Sequence, residues 1–102
     1  MNQDVHIYLA VATPTVAGRY PRGQSHALHI YVRVPAGSDF DGRVAEAIAM
    51  NNGWLLTEIR KAGRVNAESL DAAEDTVRAC VDAALKDGSA ILVYDNPISA
   101  AG

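Results

Sequence analysis

Residues 25–34, SHALHIYVRV, decide the fold: Leu28, Ile30, Val32 and Val34 fall on one side of an extended chain, and His29, Tyr31 and Arg33 on the other. That is the two-residue period of a half-buried strand. Residues 5–11, VHIYLAV, repeat it, with Val5, Ile7, Leu9 and Val11 set against His6, Tyr8 and Ala10. Only Ala12 and the 12-residue connection TPTVAGRYPRGQ lie between the two. A parallel pair needs a crossover element, so an antiparallel hairpin is the simplest pairing.

Downstream the period changes. Phe40, Val44, Ala47, Ile48 and Asn51 recur at helical spacing, with Ser38 or Asp39 placed to cap the helix start and Gly53 to end it. WLLTEIRKAGRV, residues 54–65, reads either as one long strand or as a strand with a short return after Ala62-Gly63. A second helix is expected over residues 67–87, with Leu70, Ala73, Val77, Val81 and Ala84 on its inner stripe and Gly88 at its end. SAILVYD, residues 89–95, is a short apolar strand stopped by Asn96-Pro97.

The order ββαβαβ predicts an α+β fold: a two-layer α/β sandwich, with a four- or five-stranded sheet carrying both helices on one face. If residues 63–65 form a return strand, the alternative is a ferredoxin-like β-α-β-β-α-β unit with an extra N-terminal strand. A chain of 102 residues that is 49% hydrophobic can fill one core. Residues 1–97 therefore read as a single domain, with 98–102 as a frayed tail. The net charge of −3 is unevenly spread. Residues 1–37 carry Arg19, Arg22 and Arg33 against Asp4, whereas the rest holds 11 acids and 6 bases.

Cys80 is the lone cysteine, and MNQDVHIYLAVATP lacks the basic start and long apolar run of a signal peptide, so a cytoplasmic setting is expected. No stretch nears the roughly 20 apolar residues of a membrane-spanning helix. The run from AIAMNNGW through GRV to ALKDGSAILVYD resembles small bacterial α/β proteins, and no motif in it implies an activity.

Assigning Val5, Ile7, Leu9, Val11, Leu28, Ile30, Val32 and Val34 to one apolar floor leaves His6, Tyr8, His29, Tyr31, Arg33, Trp54, Glu58, Arg60 and Tyr94 on an open face. Aromatic and arginine side chains together are the composition of a binding patch. An ordinary solvated sheet face, a symmetric self-association surface and a ligand site compete for it. Nucleic acid is disfavoured, because no Lys/Arg cluster surrounds the aromatics.

Candidate chemistry is sparse. His6 and His29 could approach on neighbouring strands, but no third ligand is fixed by spacing, so no metal is expected. Cys80 reads as a packed, inert thiol, and His26 as a partly exposed strand start. GSDFDG, residues 37–42, fails as a calcium loop, because Arg43 and Met50 stand where ligands are needed. The loop residues Arg19 and Arg22 could offer guanidiniums to an anion, or to the acidic second helix of another copy with its Glu68, Asp71, Glu74 and Asp75.

These readings lead to a non-enzymatic protein without a cofactor, one that self-associates as a homodimer and binds a protein partner through the aromatic face. The second reading is a small-ligand or anion-binding domain, or an enzyme, using the arginine loop or the His/Tyr/Arg face.

Overall fold

The computed structural model describes residues 3–15, 23–65 and 71–94. Its elements run β1 (Gln3–Pro14), β2 (His26–Pro35), α1 (Gly42–Asn51), β3 (Trp54–Val65), α2 (Asp75–Asp87) and β4 (Ser89–Val93). The α+β class and the ββαβαβ order are those the hydrophobic periods predict. Among the described residues the sheet has four strands in the order β3-β1-β2-β4, every neighbouring pair antiparallel. β3 pairs with β1 along its whole length, with Gly63 opposite Ile7. The return strand after Gly63, on which the ferredoxin-like alternative depended, does not form.

Register decides the rest. In β1 and β2, Ile7 stands opposite Tyr31 and Tyr8 opposite Ile30. Directly opposed residues share a face, so the odd residues of β1 join the odd residues of β2. The single floor expected from the sequence combined odd positions of β1 with even positions of β2, a grouping one residue out of register. Both faces are in fact apolar, and each helix takes a different one.

On one face, Ala45 and Ala49 of α1 pack with Tyr8, Ala10, Ala12, Leu28, Ile30, Val32 and Trp54. On the other, Val81 and Ala84 of α2 pack with Val5 and Tyr31. The two helices therefore do not share one face of the sheet; each makes its own helix-on-sheet layer.

Local signals explain the helix ends. The Asp41 carboxylate, rather than Ser38 or Asp39, caps α1 by accepting the Arg43 amide at 3.0 Å. Gly53 and Gly88 follow the helices with φ of +85° and +102°, the left-handed conformation that glycine adopts without penalty. The buried stripe of α1 is Ala45 and Ala49 flanked by Ile48, while Phe40 and Val44 are 46% and 39% exposed. Small alanines let the helix approach the sheet closely. α2 begins at Asp75, later than the periodicity suggests, and Leu70 lies outside the described residues. No helix among the described residues is long and apolar enough to cross a membrane.

Candidate functional site

The aromatic residues singled out by alternation do not form one surface. His6, Tyr8 and Trp54 lie beneath the α1 layer; His29, Tyr31, Arg33 and Tyr94 lie on the α2 side. Tyr8, Tyr31 and Trp54 are buried. His6 and His29 occupy opposite faces and cannot share an ion. Among the described residues no group of three His, Cys, Asp or Glu side chains could hold a metal. Arg19 and Arg22 lie outside the described residues.

Several of these side chains hold the fold together. The Tyr8 hydroxyl accepts the Asp41 amide at 2.8 Å, tying β1 to the start of α1. His26, expected to be partly exposed, is buried against Trp54 with ring centroids 5.7 Å apart, and its Nδ1 lies 2.9 Å from the Tyr94 carbonyl. Arg33 donates to the Leu85 carbonyl at 2.8 Å, and its own amide donates to Gly88 O at 2.9 Å. A cation there complements the carbonyl end of α2. Glu58 and Arg60 form an exposed ion pair at 3.3 Å.

His6 is the most unusual of the set. It is fully buried, and among the described residues neither ring nitrogen has a hydrogen-bond partner. Phe40 covers it at 4.5 Å between centroids, the Arg64 guanidinium lies 5.7 Å from the Phe40 ring centre, and Arg64 Nε pairs with Asp4 at 3.2 Å. Burial pushes the imidazole below its ordinary value of 6.5, Arg64 pushes the same way, and Asp4 opposes them. Burial also lowers His29, whose Nδ1 lies 3.3 Å from the Tyr94 hydroxyl. Tyr31 is pushed up to about 12, chiefly by burial and then by Cys80 and Tyr94. Cys80 is raised by burial, which disfavours the reactive thiolate.

Two features missed by alternation remain accessible. The first is the outer edge of β4. Arg33 N donates to Gly88 O and Tyr94 N donates to Ala27 O, and both pairs are in register with Ile30 opposite Ile91. Hydrogen-bonded pairs alternate along an antiparallel ladder, so Ala90 and Leu92 turn their amide and carbonyl groups toward β2. Ser89, Ile91 and Val93 therefore turn theirs away from the sheet. β3, the other edge, is long but guarded: it carries Glu58, Arg60, Lys61 and Arg64, and register shifts interrupt its pairing at Leu9/Ala10 and Val11/Ala12. Bulges and charges are how sheets avoid edge-to-edge pairing. β4 carries neither.

The second feature is a recess on the α2 side, lined by Ile7, Leu9, His29, Lys61, Ala62 and Gly63. The sequence signal for it was Gly63, a glycine inside a strand, which reads as readily as a break. Comparison with protein-family models, with curated proteins and with solved structures returns no match to this chain.

Proposed function

We propose that this protein is a self-associating domain, and that two copies join by antiparallel pairing of β4 with its symmetry mate. The asymmetry between the guarded edge of β3 and the edge of β4, unpaired among the described residues, carries this reading. A two-fold axis at Ile91 places Ile91 opposite Ile91 of the second copy and Ser89 opposite Val93. In that register each outward amide and carbonyl of Ser89, Ile91 and Val93 finds a partner, giving about six backbone hydrogen bonds. The two sheets become one continuous sheet, a closed arrangement of the most common symmetry.

Tyr94, 43% exposed and directly following β4, adds apolar surface beside the seam. Backbone bonds at about 0.5–1.5 kcal/mol each meet only the lower part of the association cost, about 4–15 kcal/mol. The dimer is therefore weak and responsive to concentration.

Sedimentation velocity from low to high micromolar concentration tests this. The sedimentation coefficient should rise with concentration. Ile91→Pro should hold the protein as a monomer at some cost in stability, because the amide it removes points away from β2 while the side chain it removes packs on the α1-side core. Ser89→Lys, which leaves the backbone intact, should weaken association through an added edge charge. A strict monomer throughout, or variants that dimerise like the parent chain, would refute the proposal.

A further inference from the structure

α2 covers only part of its face of the sheet. It packs over β4, β2 and Val5 of β1, and beside it, over β1 and β3, lies a recess of about 220 Å³. Register explains its shape. Lys61, Leu9 and His29 stand in one row across three strands, and Gly63 and Ile7 lie in the next. The floor is apolar because Ile7 and Leu9 supply it, and the depth arises because Gly63 contributes no side chain.

Gly63 has no local reason to be glycine. A Cβ placed there would meet nothing within 4 Å, and its φ lies outside the left-handed region. A glycine inside a strand costs stability and often marks a place where a ligand approaches the backbone. Lys61, an exposed residue of the lining, supplies the cation, and it takes part in no ion pair found among the described residues. His29 closes the far side, with Nδ1 engaged by the Tyr94 hydroxyl.

We propose that this recess is a binding site for a compact organic anion, with its apolar body over Gly63 between Ile7 and Leu9 and its carboxylate on the Lys61 ammonium. The volume lies below the roughly 300–1,000 Å³ of clefts for drug-sized ligands, which restricts the occupant to single-ring or short-chain acids. The site lies toward the β3 edge of the sheet, opposite the β4 edge, so its occupancy and self-association can be tested independently.

Nuclear magnetic resonance titration of the full chain with benzoate, hexanoate and the neutral analogue benzyl alcohol tests the proposal. Benzoate or hexanoate should produce saturable shifts at the amides of Ile7, Leu9 and Gly63. Lys61→Met keeps the stem and deletes the charge. It should weaken acid binding about tenfold while changing benzyl alcohol binding less than about twofold. Gly63→Val fills the recess with a side chain that suits a strand, and it should abolish binding of every probe while leaving the melting temperature unchanged or higher. Three results would overturn the proposal: no saturable shift at these amides with any acid, undiminished binding by Gly63→Val, or equal losses for acid and alcohol in Lys61→Met.

Discussion

Replacing His6 with leucine should stabilise the protein at neutral pH and flatten its response to acid. The neutral imidazole buries one donor and one acceptor without partners, and Phe40 seals it from solvent. Leaving such groups unpaired costs about 1–3 kcal/mol, which leucine of similar volume avoids. For a domain of this size each kcal/mol moves the melting temperature by about 4–8 °C. The acid response follows from linkage. The folded imidazole titrates below its ordinary value of 6.5, so beneath that pH the unfolded chain takes up a proton that the folded chain refuses. His6 therefore adds no protonation penalty to that burial cost well above pH 6.5, and stability falls as the pH drops from there toward its folded value. The slope approaches about 1.4 kcal/mol per pH unit for one such histidine. Urea unfolding of both proteins across mildly acidic to neutral pH measures each quantity. His29, lowered by burial as well, keeps a smaller slope in the variant. Loss of stability at neutral pH, or an acid slope identical to that of the parent chain, would refute the reasoning.

Other substitutions probe the two layers separately. Tyr31→Phe removes a buried hydroxyl without a partner and should be neutral or stabilising by up to about 1–3 kcal/mol in thermal unfolding. The same phenol, pushed up to about 12, should stay protonated in an absorbance titration at a pH where an unperturbed tyrosine, near 10, has ionised. Arg33→Met deletes the cation at the carbonyl end of α2 and should cost about 0.3–1 kcal/mol in urea unfolding, less at high salt. Gly88→Ala forces a side chain into φ of +102° and should destabilise by about 1 kcal/mol, read from the same unfolding curves.

The strands were legible because apolar residues alternate in VHIYLAV and LHIYVRV, and the helix ends because Gly53 and Gly88 stand where left-handed residues belong. Register was not legible. Alternation shows which residues of one strand share a face, but not which face of the next strand they join. The ambiguity was acute here because the intervening residues are Tyr, His and Ala, which suit a buried face as well as an open one. Tyr8 and Tyr31 thus read as solvent-facing and proved to be core on opposite sides. α1 misled for a related reason: in VAEAIAM every second residue is alanine, so its inner stripe could be rotated by one position. The β4 edge and the recess were hidden because neither depends on residue type alone. One is defined by which amides turn outward, the other by a side chain that is missing.

Amide hydrogen exchange along β4, followed as a function of protein concentration, tests the proposed association most directly. Ala90 and Leu92, bonded to β2 in either state, should be protected at every concentration. Ser89, Ile91 and Val93 should exchange freely in dilute solution and gain protection together as the dimer forms. Equal protection of all five amides in dilute solution, or odd-numbered amides that stay unprotected at the highest concentration, would contradict the β4 seam.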